Sequence, residues 1–482
     1  MRYFAFPAGQ VVLLFLLLGL GGPFILTTIS TASFSAVLLL GFVSVIGLLL
    51  CRYTQVRLED PALKILGYLW LIKLGVTLFL LYAGWIPQLD PASSDTWGYD
   101  PQRYYVQAQE LIDQNWSIGP ISLNYTGILY YYGSIFYVFG HNPVVPALIN
   151  AFVTLIATLY LVKVGYEIKS HREPRDWTLA FGLLLPEMLW YDVMTARETV
   201  MAAMLLFTTL TMGRYFARTA AISLPRLLIV AGLSALAIAA VRAPLLLPMA
   251  VSIVLMALLV RPQSRSRVVQ NTVLVVFAFA ALMVLPTIPE LLGGYEFGVG
   301  NALQIATSGE NNIALTAAAQ WSQKSIGLLL IPQSPLQAIL FLPPRMVLYL
   351  VSPLPYIYIT FDALRAGDYA SWQNLCTLPA SVINTLGMPY ALASLVQSIR
   401  TRKANAAPLV LHISYWTMLT AIAGGNLIIQ ERYRVMAAPL LWGCMWLGAR
   451  TCSKNLIIET ALFWYGLLFM GALAYLFYKG VL

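Results

Sequence analysis

The feature that most constrains this chain is its succession of apolar runs of membrane-crossing length, typified by VVLLFLLLGLGGPFILTT at 11–28. A bilayer core takes about 20 apolar residues of helix to cross. Within it only helices and closed barrels satisfy every backbone N–H and C=O. No series of alternating ten-residue strands occurs, which excludes a barrel. With 59% hydrophobic and 10% charged residues over 482 positions, the sequence predicts an all-α polytopic membrane protein, a single integral membrane domain over 1–482. The first run resembles a signal peptide. It lacks a small-residue cleavage site and another span follows at once, so it is expected to be retained.

Thirteen transmembrane helices are expected, at about 11–28, 33–51, 65–86, 144–164, 178–194, 199–217, 225–241, 244–260, 268–289, 381–399, 407–425, 435–449 and 456–477. Lys and Arg gather in cytoplasmic loops, which orients the set. With the N-terminus in the cytoplasm, nineteen of the 29 basic residues fall inside, all in short connections. Nine fall outside, spread over far longer segments, and Lys73 lies within a span. The net charge of +9 is therefore mostly this inside bias and not a nucleic-acid footprint. The four cysteines are too dispersed for a disulfide framework, and three scattered histidines form no metal cluster with them.

Two long extracytoplasmic segments interrupt the spans, 87–143 and 290–380. The first is expected to carry an interfacial helix. In the second, the apolar stretch QAILFLPPRMVLYLVSPLPYIYI at 337–359 is broken by prolines and charged at Arg345. Crossing once would send the basic cluster Arg400–Lys403 outside, so interfacial or re-entrant helices are expected. A hairpin of two spans, 325–342 and 346–361, is the competing count. Thirteen of the 20 acidic residues are extracytoplasmic, whereas only Lys73 and Glu187 look buried in spans. A carrier more often places charge deep in its helices. The polar chemistry is expected at the outer face.

Three clusters there carry the candidate residues. In DTWGYDPQRYYVQAQEL at 95–111, the Asp100-Pro101 pair starts a helix, with Arg103, Tyr104, Gln107 and Glu110 expected on one face. Asp100 either only caps this helix or also accepts a proton from an attacking hydroxyl. Asp95 is the alternative base, and Arg103 beside the helix N-terminus suits a phosphate. In PEMLWYDVMTARE at 186–198, a tight outside turn is expected to hold Asp192, Arg197 and Glu198 near the membrane surface. Glu198 is either a favourable charge at a helix start or a second catalytic carboxylate. Glu187, about two turns deep, needs a partner or a proton. Arg242, in the outside turn that follows, is either structural or a phosphate ligand. In QERYRVMAAPL at 430–440, Glu431, Arg432 and Arg434 either anchor the interface or bind a phosphate or diphosphate.

The order of these motifs resembles bacterial GT-C glycosyltransferases, membrane enzymes that take sugars from polyprenyl phosphate, in the protein mannosyltransferase and aminoarabinose transferase class. The resemblance covers 95–440. It rests on the carboxylate-bearing outer loop and NYTGILYYYGSIFYVFGHNPVVPALIN from 124, with its FG turn and IN opening a span. It continues through Pro186 to Glu198, PLPY at 353–356, and Arg432 to Pro439. In many members that loop follows the first span; here it follows the third.

The resemblance implies inverting transfer of a sugar from a polyprenyl-phosphate-linked donor to a lipid, glycan or protein acceptor, at the outer face of a bacterial inner membrane. It places the catalytic acid residue at Asp100, with Asp95 and Glu198 as further candidates. Arg103, Tyr104, Arg197, Arg242, Arg345, Glu431, Arg432 and Arg434 would bind substrate. No cofactor is required by the sequence, and a divalent cation is left open because relatives differ. Membrane lipids are the remaining partners. The alternatives are an O-antigen-type polymerase or ligase using a polyprenyl diphosphate, and a lipid or polysaccharide transporter.

Overall fold

The computed structural model describes residues 6–27, 33–82, 100–117, 126–168, 177–217, 222–242, 245–260, 265–284, 330, 335–352, 361–366, 369–402, 406–425 and 431–478. These are all-helical, with no strand among them. The helices are α1 (Ala8–Leu26), α2 (Ser33–Arg57), α3 (Ile65–Tyr82), α4 (Asp100–Asp113), α5 (Thr126–Phe139), α6 (Val144–Ile168), α7 (Pro186–Asp192), α8 (Arg197–Ala217), α9 (Leu224–Arg242), α10 (Leu246–Leu259) and α11 (Arg265–Val284). The remainder are α12 (Pro335–Val351), α13 (Phe361–Arg365), α14 (Tyr369–Thr401), α15 (Ala407–Gly425), α16 (Glu431–Arg434), α17 (Ala438–Thr451) and α18 (Lys454–Tyr478).

Eight helices among the described residues are long and apolar enough to cross a membrane: α1, α2, α3 with its leading 3-10 turn, α6, α9, α14, α15 and α18. They coincide with eight of the thirteen expected spans. The others meet helices of different character. The stretch expected at 244–260 is α10, whose 14 residues rise about 21 Å against a hydrocarbon core of roughly 30 Å. The stretch 178–194 is not one helix. It is a 3-10 helix, Thr178–Leu184, that breaks at Leu185 before α7. Pro186 opens α7 at its first turn, where a missing N–H costs nothing. Helix α12 runs unbroken through Pro343 and Pro344, so no turn falls where the hairpin count would place one.

Helices pack where small residues and proline-freed carbonyls allow. Within α14, Pro389 has no N–H to offer the Thr385 carbonyl one turn earlier. Trp464 of α18 donates its indole N–H to that carbonyl at 2.9 Å, docking the last helix on the proline. A Cβ at Gly127 would stand 2.6 Å from the Ala240 Cβ and 2.7 Å from its backbone carbon, so only glycine lets α5 lie against the end of α9.

Polar contacts sort to two ends of the bundle. At one, Arg214 grips Glu167 through two hydrogen bonds of 2.6 and 2.8 Å, and Tyr166 donates to Asp60. At the other lie the start of α4, the turn before α8, the end of α9 and α16.

Candidate functional site

The turn between α7 and α8 is the centre of this second end. It was expected to be a surface turn; the structure buries it, every residue from Trp190 to Ala203 being buried. A buried turn must satisfy its backbone without water, and side chains from two other helices do so. Asn150 of α6 donates to the carbonyls of Asp192 and Met194 at 3.3 and 2.9 Å. Tyr132 of α5 donates to the Ala196 carbonyl at 2.6 Å and accepts from Asn150 at 3.2 Å. Thr195 donates to the Pro101 carbonyl, joining the turn to the start of α4.

Beneath the turn, Asp192 is fully buried and pairs with Lys73 of α3, which also donates to the Leu183 carbonyl at 3.1 Å. Thr154 donates to the other Asp192 oxygen at 2.9 Å. Lys73 and Asp192 are therefore a structural pair, and Asp192, expected in a tight outside turn near the membrane surface, is fully buried there. Buried charge demands such a partner.

Arg197 and Glu198 open α8, both buried, with Arg197 Nε 4.0 Å from Glu198 Oε1. A carboxylate in the first turn lies favourably in the helix dipole. From α9 comes Arg242, its guanidinium carbon 4.6 Å from the centre of the Tyr433 ring. From α16 comes Arg432, at 4.9 Å from the same ring and donating to the Tyr433 hydroxyl at 3.0 Å. Burial alone would push the Tyr433 phenol up. The charges of Arg432 and Arg242, the hydrogen bond from Arg432 and the charge of Arg197 bring it below its ordinary value. Arg242 and Arg432 thus come from separate stretches to one aromatic side chain, and the charge of Arg197 is felt at the same phenol.

The other candidates divide. Arg434 is buried and engaged with protein groups. Its Nε donates to Glu187 at 2.7 Å, and its other nitrogens to the carbonyls of Tyr349, Leu350 and Ser352 and to Ser381 Oγ. That corrects its expected role as a phosphate ligand and supplies the partner Glu187 needs. Arg345 is likewise buried, donating to the carbonyls of Ala423 at 2.7 Å and Leu330 at 2.9 Å, which ties α12 to α15. Helix α4 begins at Asp100 as the Asp-Pro pair predicts, but its faces differ from expectation. Tyr104, Gln107, Ala108 and Leu111 are buried, while Arg103, at the edge of their face, is exposed. Tyr104 packs in the core and Tyr105 lies edge-on to Phe136. Asp95 and the side chains of Asp100 and Glu431 lie outside the described residues.

Among the described residues no three His, Cys, Asp or Glu side chains gather as metal ligands. Compared with protein-family models, with curated proteins and with solved structures, the chain finds no match. The residue geometry therefore carries the functional argument. Asn150, Tyr132 and Tyr433 are among the participants given no role from sequence. Each sits inside a quoted motif, and each has a hydrogen-bonding tip on an otherwise apolar or cationic stretch, which is the signal that could have marked it.

Proposed function

We propose that the chain is a membrane glycosyltransferase. It takes a sugar from a polyprenyl-phosphate-linked donor and transfers it, with inversion, to a lipid, glycan or protein acceptor at the extracytoplasmic face of a bacterial inner membrane. One observation carries the reading. Arg242 and Arg432 flank Tyr433, where the charge of Arg197 is also felt, at the same end of the bundle as the start of α4, and Thr195 joins that start to the turn before Arg197. An anion bound among these guanidiniums, of which Arg197 and Arg242 are buried and Arg432 half-buried, gains charge-assisted hydrogen bonds in a place of reduced screening.

In this reading the Asp100 carboxylate takes the proton of the acceptor hydroxyl. The oxygen then attacks the anomeric carbon from the side opposite the phosphate, and the sugar–phosphate C–O bond breaks. Polyprenyl phosphate leaves, its new charge met by guanidiniums that stay protonated at any physiological pH. The transporter reading is disfavoured because Lys73 and Glu187, the deep charges, are each locked in an ion pair. The polymerase or ligase reading keeps the same site and is favoured by the two guanidiniums over Tyr433, which also suit a diphosphate.

Asp100→Asn tests the assignment. Transfer should fall by roughly 10²–10⁴-fold, the usual contribution of a general base, with the protein still inserted and monodisperse. Near-normal turnover would end it. Supplying monophosphate- and diphosphate-linked donors side by side separates the two enzyme readings.

A further inference from the structure

The two arginines of the RYR motif do different work, and their spacing explains how they are linked. Arg432 and Arg434 lie two residues apart on one turn of helix, so their side chains leave it about 200° apart. Fixing one in the protein aims the other away from that anchor. Arg434 is fixed from three directions: by Glu187 of α7, by the carbonyls at the end of α12, and by Ser381 of α14. The carbonyls of Tyr349, Leu350 and Ser352 are among those a helix leaves unmatched at its C-terminus, where a cation is favoured. Ser381 also donates to the Ser352 carbonyl, closing the junction. After α16 the chain passes through a 3-10 turn, Val435–Ala437, all buried, into α17. The short helix is therefore held rigidly on its Arg434 side, and Arg432 and Tyr433 are presented to Arg242 on the other.

We infer that Arg434, clamped by Glu187 and Ser381, is the positioning residue that sets the place of Arg432 and Tyr433 in an anion site for a polyprenyl phosphate. This rests on the proposed function for the identity of the anion. Glu187 and Ser381 bond Arg434 and not the ring of Tyr433, so their effect on binding runs through α16.

The test measures binding of farnesyl phosphate, with farnesol as the uncharged control, to the full-length protein in detergent. The ratio of the two affinities isolates the phosphate contribution. Wild type should prefer the phosphate. Glu187→Gln should lose that preference roughly tenfold or more, the order seen when a supporting group behind a preorganised site is removed. Ser381→Ala, which deletes one acceptor of Arg434 and leaves the ion pair, should lose it by a few-fold and serves if Glu187→Gln does not fold. Farnesol affinity should be unchanged in both, whereas general loosening of the fold would lower both ligands together. Folded variants with the wild-type preference would overturn the inference while leaving the anion site standing. A wild-type protein with no preference for the phosphate would overturn the anion-site reading itself, and the inference with it.

Discussion

Replacing Lys73 with methionine tests the framework under the α7–α8 turn. Methionine keeps the apolar stem and removes the ammonium, leaving Asp192 fully buried with its Thr154 hydrogen bond but no cation. Breaking a buried pair on one side costs about 3–5 kcal/mol, because the survivor's desolvation is no longer offset. The Thr154 bond at 2.9 Å persists, so the low end, about 3 kcal/mol, is expected. That is roughly a hundredfold in the folding constant. Lys73→Met/Asp192→Asn removes both charges and keeps an acceptor for Thr154, so it should recover at least ~2 kcal/mol of the summed single costs. The assay is a double-mutant cycle by reversible unfolding in mixed micelles. A Lys73→Met protein within about 0.5 kcal/mol of wild type, the scale of an ordinary surface substitution, would refute the reasoning. Strict additivity of the two changes would refute it equally.

Arg242→Ala and Arg432→Ala should each raise the donor KM by about 10–100-fold, as losing a charge-assisted contact of 1.5–3 kcal/mol predicts, with acceptor KM unchanged; steady-state kinetics with each substrate varied decides it. His141 is held below its ordinary value near 6.5, chiefly by burial, against the opposing Tyr105 carbonyl and Asp113 charge. The folded chain therefore refuses a proton that the unfolded chain accepts. Its contribution to stability is full above pH 6.5 and is lost as pH falls below it. His141→Phe should flatten that part of the stability–pH profile, and an unchanged slope would remove His141 as its source. A cysteine placed at residue 95 should react with an impermeant thiol reagent only from outside, and labelling from the cytoplasm would reverse the orientation.

Much of the architecture was legible before any fold was seen, because its causes are local. Hydrophobic length marks a span wherever it occurs, so α1, α2, α3, α6, α9, α14, α15 and α18 all coincide with expected spans. The Asp-Pro pair announces a helix start whatever surrounds it, and α4 begins there. Buried charge also announces itself: Lys73 and Glu187 had to find partners. Which partners they find is not local. Asp192 and Arg434 are 119 and 247 positions away along the chain, and only packing chooses them among many candidates.

The same distinction divides the site. Residue type and sidedness named Arg197, Arg242, Arg432 and Arg434 together, since an arginine at a helix end reads alike in every case. Tertiary structure separates them, setting Arg242 and Arg432 against Tyr433, burying Arg197 beside Glu198 and turning Arg434 inward to close three helices. It also buries the turn before α8, which a tight turn beside charged residues gave no reason to expect. Sequence alone determined that this chain is a bundle of apolar helices with its polar chemistry gathered in a few connecting segments. The fold decided which of those polar groups are structure and which face one another, because a side chain's role depends on what distant segments bring within hydrogen-bond reach.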